Sequence, residues 1–180
     1  MKTKNTSALR LAIAAVCLAL CLLLPFLTGQ IKQIGQALCP MHIPVLLCGF
    51  LCGPWYALAV GAIAPVLRFA LFGMPPLFPT GAAMCFELAA YGALSGVLYR
   101  LLPDRRSSVY AALIGAMLGG RVVWGVAMAL LLGVSGGAFT WGAFVAGAFA
   151  GAVPGIILHI VLIPVIVFAL QRAGLARRGA

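Results

Sequence analysis

Acid is almost absent from this chain: among 180 residues only Glu87 and Asp104 carry a carboxylate. That scarcity excludes an aspartyl dyad and an acidic metal cluster, and leaves few schemes of general acid–base chemistry. A His-Glu-x-x-His motif is missing. The nearest approach to a Gly-x-Ser-Gly nucleophile, Ala93-Leu94-Ser95-Gly96, lacks the first glycine. Also missing is a Gly-x-x-x-x-Gly-Lys loop, so any nucleotide-derived energy must come from other chains. Charged residues of both signs make up only 8% of the sequence, and no polar run is long enough for a soluble domain. An enzyme is not expected.

What is present is apolar. Hydrophobic residues make up 64% and the mean hydropathy is +1.18. A soluble fold of this length cannot hide that much apolar surface, whereas lipid tails solvate it. The expectation is an all-α integral membrane protein, one membrane domain over 1–180, with no metal and no cofactor. At about 20 residues per span, six helices fit, near 7–27, 40–52, 55–72, 80–101, 109–133 and 143–170. The net charge of +10 is distributed unevenly over such a bundle. Lys2, Lys4, Arg10, Arg100, Arg105, Arg106, Arg172, Arg177 and Arg178 fall on one side, and Lys32 on the other. This bias predicts both termini in the cytoplasm of a cell membrane protein and argues against nucleic acid as a partner. The first span lacks a small-residue cleavage site and is expected to stay as a signal anchor.

Cys17, Cys21, Cys48, Cys52 and Cys85 lie inside apolar runs and form no Cys-x-x-Cys. Cys48 and Cys52 share a helix face with no histidine or second pair beside them, so the thiols read as small packing groups. In the first span Ala8, Ala12, Ala15 and Ala19 recur at helical spacing. Small residues so placed let a second helix approach closely. They suit packing inside the bundle or docking of a partner membrane protein, and spacing alone leans to the first. The polar stretch from Thr28 to Cys39 is either a lid or a plain connector. The span near 40–52 is too short to cross upright, and short or Pro/Gly-interrupted spans often border a binding site. Ser107 or Ser108 is expected to cap the fifth helix, and Pro154 and Pro164 to bend the sixth. No internal repeat stands out.

Three charged residues lie away from the cytoplasmic ends of their spans, where a buried charge costs about 2.5–3.5 kcal/mol: Arg68, Glu87 and Arg121. Arg68 and Glu87 flank the break Gly73-Met74-Pro75-Pro76-Leu77-Phe78-Pro79 and should lie at similar depth. They either pair with one another or face a ligand. In both cases Arg121 lacks an acidic partner, and surplus positive charge near mid-membrane points to a ligand carboxylate. Tyr91 lies one turn from Glu87, and Trp124 one turn from Arg121. His42 opens the short span and offers a hydrogen bond. His159 has no acidic neighbour and reads as structural. A channel or a scaffold remains open, although a scaffold gives no reason to keep Arg121 in the membrane.

Several segments together resemble the substrate-binding (S) components of energy-coupling-factor (ECF) vitamin transporters, over nearly the whole chain. They are the Ala-rich first helix, Pro40-Met41-His42-Ile43-Pro44-Val45-Leu46-Leu47-Cys48-Gly49, Gly53-Pro54-Trp55-Tyr56, Pro65-Val66-Leu67-Arg68, the Phe72-to-Pro79 break and Phe86-Glu87-Leu88-Ala89-x-Tyr91-Gly92. The resemblance implies a six-helix subunit that binds a vitamin in its outer half. It would associate with a transmembrane coupling protein and two cytoplasmic ATPases. It turns the alanine stripe toward docking. The candidate substrate contacts remain those read from charge and spacing, His42, Arg68, Glu87, Tyr91, Arg121 and Trp124: Arg68 and Arg121 would suit a carboxylate, and Glu87, Tyr91 and His42 hydroxyl or amide groups. The pantothenate-type branch is the nearest likeness. A flavin would want stacking rings such as Trp124, Trp141 and Phe86, and a cationic queuosine precursor would want Glu87 unpaired.

Overall fold

The computed structural model describes residues 5–28 and 31–173. Lys2, Lys4, Arg177 and Arg178 of the expected charge asymmetry lie outside the described residues, as does the side chain of Lys32. In chain order the helices are α1 (Asn5–Leu23), α2 (Lys32–Leu38), α3 (His42–Cys52), α4 (Pro54–Phe72), α5 (Ala82–Leu101), α6 (Arg106–Val134), α7 (Trp141–Ala148) and α8 (Val153–Arg172). Short turns extend α1 over Leu24–Thr28, precede α5 over Leu77–Gly81 and join α7 to α8 over Ala150–Ala152. Five segments are long and apolar enough to cross a membrane: Ser7–Leu27, Pro54–Phe72, Leu77–Leu101, Arg106–Val134 and Trp141–Arg172.

The sixth apolar helix, α3, has 11 residues. At 1.5 Å per residue it is about 17 Å long, well short of the roughly 30 Å hydrocarbon core. It is the most enclosed element, buried from His42 to Phe50 and at Cys52, and α1, α4, α5 and α8 pack around it. Gly53, at φ +94° and ψ 177°, turns the chain out of α3 in a conformation open only to glycine. Pro54 then starts α4, where its missing N–H is harmless.

Some helices meet through small residues, while many large aliphatic side chains point outward. A β-carbon at Gly61 or Gly92 would collide with the backbone of Leu88 or Ala57, so α4 and α5 touch main chain to main chain. On α6 and α8, Val122, Val126, Leu130, Ile157, Val161 and Val165 are all exposed. They form outward stripes at i, i+4 spacing. Such outward apolar stripes suit lipid as solvent. On α1, Ala14, Cys17 and Cys21 face the bundle, while Ala8, Ala12, Ala15 and Ala19 are exposed on the opposite side. The alanine stripe is therefore not internal packing.

Local expectations need four corrections. The stretch from Thr28 to Cys39 contains α2, which packs on α8 because a β-carbon at Gly155 would come within 2.6 Å of the Ala37 carbonyl. Neither Ser107 nor Ser108 caps α6: the helix starts at Arg106, and Ser108 Oγ donates to the Pro103 carbonyl at 2.6 Å. Pro154 lies in the first turn of α8 rather than bending a continuous helix; the break falls at Phe149. Finally, Cys48 and Cys52 do have a companion pair. Cys17 and Cys21 are likewise four apart on α1, and all four thiols are buried in the same core where α1 packs on α3.

Candidate functional site

Glu87 is about a turn and a half into α5, on the face of that helix turned away from α4. The glycines decide this orientation. Gly92 and Gly96 meet the backbone of α4 and its Gly53–Pro54 start, which aims Glu87 and Tyr91, on the neighbouring stripe, at α3 and α6. From α6, Arg121 Nη1 donates to Glu87 Oε1 at 3.0 Å. Gly120 lets the two helices close around this pair, since a β-carbon there would come within 2.9 Å of the Tyr91 ring. Glu87 is 2% exposed and Arg121 8%. The ion pair thus lies in the interior.

This corrects the expected pairing. Glu87 is bound by Arg121, not by Arg68, and Arg121 is not the unmatched cation. Arg68 turns instead to α1, where its Nη1 donates to the Leu22 carbonyl at 2.7 Å. That carbonyl precedes the tight turn around Pro25, where an i+3 donor would be the proline nitrogen, which has no hydrogen. The Arg68 guanidinium also lies over the rings of Phe26 at 5.3 Å and Phe72 at 5.5 Å, a cation–π arrangement. Surplus positive charge is absent from the Glu87 cluster itself.

Four further groups complete the cluster. The His42 ring, at the start of α3, has Nε2 3.4 Å from Glu87 Oε1, the oxygen that Arg121 holds. It meets Tyr91 edge-on at 5.0 Å and stacks on His159 of α8 at 6.0 Å. Tyr91 is buried one turn along α5 from Glu87. Cys39, in the left-handed conformation (φ 47°) at the end of α2, brings its sulfur within 3.6 Å of Arg121 Nη2. Five elements therefore meet in one buried polar cluster.

Its hydrogen bonding is incomplete. Among the described residues, His42 Nδ1 and Nε2, Arg121 Nε and His159 Nε2 are buried with no hydrogen-bond partner. Each such group costs about 1–3 kcal/mol, and a natural fold concentrates such costs where function requires them. No group of three or more His, Cys, Asp or Glu side chains among the described residues is placed to hold a metal ion.

Of the residues singled out in the sequence, His42, Glu87, Tyr91 and Arg121 come together. Arg68 and Trp124 do not join them by any contact seen here. Trp124 packs on Phe139 at 5.8 Å, on Phe144 at 6.3 Å, and against Gly147 of α7. His159 and Cys39 were not among the expected site residues. His159 carried a signal, a titratable ring within a span. Cys39 carried none, because its role depends on the α2 turn. A family model described as "ECF transporter, substrate-specific component" matches residues 9–176. No curated protein and no solved structure shows a significant match.

Proposed function

The chain belongs to the family of ECF transporter substrate-specific components, and on that premise we propose that it captures a small acidic micronutrient at the Glu87–Arg121 cluster. Membership makes it the substrate-binding subunit of a transporter rather than an enzyme. It is a multi-pass membrane protein that works with an ECF module and a small-molecule substrate. The finer reading is ours: pantothenate is the best fit.

The observation that carries this reading is the set of four unpartnered nitrogens around one ion pair. Arg121 gives one Nη1–H to Glu87 and one Nη2–H to the weakly accepting Cys39 sulfur, so of its five N–H donors the Nε–H and two others remain, enough for a ligand carboxylate in fork geometry. His42, His159 and Tyr91 suit the hydroxyl and amide groups of such a ligand. Pairing of Glu87 disfavours a cationic queuosine-type precursor. The rings of Trp124, Phe139, Phe144, Trp141 and Phe149 contact one another, and a flavin would have to displace those contacts. Arg68 holds α1 in this reading, and Trp124 lines the neighbouring face of α6.

For delivery, the exposed Ala8, Ala12, Ala15 and Ala19 face of α1 docks the transmembrane coupling protein, which is joined to two cytoplasmic ATPases. The cluster faces outward, and both termini face the cytoplasm. A channel would show ligand-independent ion flux in liposomes, and a scaffold would retain no small molecule. The deciding experiment is mass spectrometry of whatever stays bound after gentle purification, followed by calorimetric titration with that compound and with pantothenate. A retained acid displaced by the Arg121→Ala substitution supports the reading. A retained cation or flavin, or no ligand at all, removes it.

A further inference from the structure

At the far end of α3 from His42, arginines on three other helices gather. Cys52 Sγ donates to the Arg10 carbonyl at 3.3 Å, which sets the early turns of α1 beside the end of α3. Arg100, in the last turn of α5, lies over the turn into α4: a β-carbon at Gly53 would meet its Nη2 and come within 2.8 Å of its Cζ. Tyr99 packs edge-on against Phe50 of α3 at 5.0 Å, and its hydroxyl accepts from Gln171 Nε2. The last turn of α8, with Arg172, therefore ends at the same corner.

Arg68 and Arg121 both donate to acceptors in the protein. Arg10, Arg100 and Arg172 do not: among the described residues their guanidinium groups have no hydrogen-bond or ion-pair partner. Arg10 is half-buried, and Arg100 and Arg172 are exposed. The side chains next to them in the chain are not polar. Trp55, the second residue of α4, is 78% exposed, and Leu101, which follows Arg100, is 76% exposed. A soluble anion would satisfy the arginines and leave that apolar surface unused. An anion that carries hydrocarbon chains satisfies both. We propose that this corner binds an anionic phospholipid, with the phosphate between Arg10 and Arg100, Arg172 at its edge, and the acyl chains along Trp55 and Leu101.

Guanidinium forks hold phosphate oxygens well, and an indole settles at headgroup depth with its N–H toward the polar layer. The lipid ties α1, α5 and α8 together around the end of α3. Arg105 and Arg106 supply a contrast within the chain. They are exposed in the turn that follows α5 but begin α6, which packs on α5 and not around α3. General attraction of a basic surface to an acidic leaflet uses all of these arginines alike, whereas a bound lipid uses the corner. Nothing in this depends on the cargo or on which leaflet the corner faces.

The chain has three tryptophans, so Trp124→Phe with Trp141→Phe leaves Trp55 as the single fluorescent reporter in the full-length protein. The probes are phosphatidylcholine vesicles carrying a minor share of brominated phosphatidylglycerol or the same share of brominated phosphatidylcholine. The expected result is that the anionic lipid quenches Trp55 in preference, with its local share raised by about fivefold for each arginine engaged. Arg10→Gln with Arg100→Gln should abolish the preference, and Arg105→Gln with Arg106→Gln should leave it. Equal quenching by the two lipids in the reporter chain with every arginine in place overturns the proposal, and that arm needs no arginine variant to fold. Equal loss in the two double variants also overturns it, since the charge of the whole surface would then be the cause. Relief of the quenching by excess soluble glycerol phosphate would make the corner a free-phosphate site instead. Unchanged lipid preference in the Arg10, Arg100 variant, with loss of co-purification with the ECF module, would assign the corner to an acidic protein surface, and the lipid would fall.

Discussion

Arg121 and Glu87 join α6 to α5 through a single 3.0 Å hydrogen bond in the interior, with His42 Nε2 3.4 Å from the same carboxylate oxygen. A buried ion pair of this kind is a poor source of stability. The desolvation of both ions offsets most of their attraction, whereas removing one partner strands the other. Retaining such a pair beside four unpartnered nitrogens makes sense if the pair is a device for binding, since an apolar interface would fold at least as well.

That argument predicts the behaviour of single and double substitutions. Glu87→Gln or Arg121→Ala alone should destabilise the fold by about 3–5 kcal/mol, seen as a lowered thermal midpoint in detergent. The pair Glu87→Leu with Arg121→Met should recover most of the loss. Arg121→Ala and the double variant should both bind the retained ligand at least about tenfold more weakly, the scale of one charge-assisted hydrogen bond. A double variant that binds as well as wild type would reduce the pair to a structural tie.

Much of this fold was readable in the sequence, and the failure over Arg68 shows where reading stops. Composition and span length gave the helical membrane class, and Gly53-Pro54 and Gly73 gave the ends of α3 and α4. Helical spacing fixes depth along a span, so Arg68, Glu87 and Arg121 were all visible as intramembrane charges. It does not fix azimuth. Glu87 sits on a helix that packs closely on both α4 and α6, and which arginine it meets depends on how α5 is rotated. The signal that sets the rotation, Gly92-x-x-x-Gly96, was present but carries no label saying which neighbour it faces. The α2 turn that brings Cys39 to Arg121 depends on contact with α8, which no local pattern discloses.

Arg68 should prove a stabilising residue. Arg68→Met strands the Leu22 carbonyl next to Pro25 and removes the cation from Phe26 and Phe72, a cost of about 1–3 kcal/mol. Because it shares no partner with the Glu87 cluster, affinity for ligand in the folded fraction should stay within about twofold of wild type. Parallel melting and binding curves check this, and a large loss of affinity at unchanged stability would return Arg68 to the binding site.

The close contact of α4 and α5 gives a sharper structural test. A leucine at Gly92 cannot fit against Ala57 unless the helices separate, and overpacking of this kind costs about 1–3 kcal/mol or more. Separation would also rotate Glu87 away from Arg121. Gly92→Leu should therefore lower both the melting point and the affinity, whereas Gly133→Leu, where no atom lies within 4 Å of an added β-carbon, should change neither.

The outward face of α1 supplies the last prediction. Ala8, Ala12, Ala15 and Ala19 are exposed while Ala14, Cys17 and Cys21 are buried, so the small residues do not serve the internal packing of the bundle. Lipid alone would be served equally well by leucine at those positions, since a lipid-facing site gains nothing from a missing side chain. A stripe without bulk is useful when another helix has to come close. Ala12→Trp should thus abolish co-purification with the coupling protein of the ECF module and leave ligand binding by the solitary subunit intact, because the indole would hold the partner helix off without touching the Glu87 cluster. Ala12→Leu, which adds less bulk, should weaken association less. Co-purification of both variants at the wild-type level would show that docking uses another surface, and loss of ligand binding would show that α1 is braced more tightly against the cluster than its exposure implies.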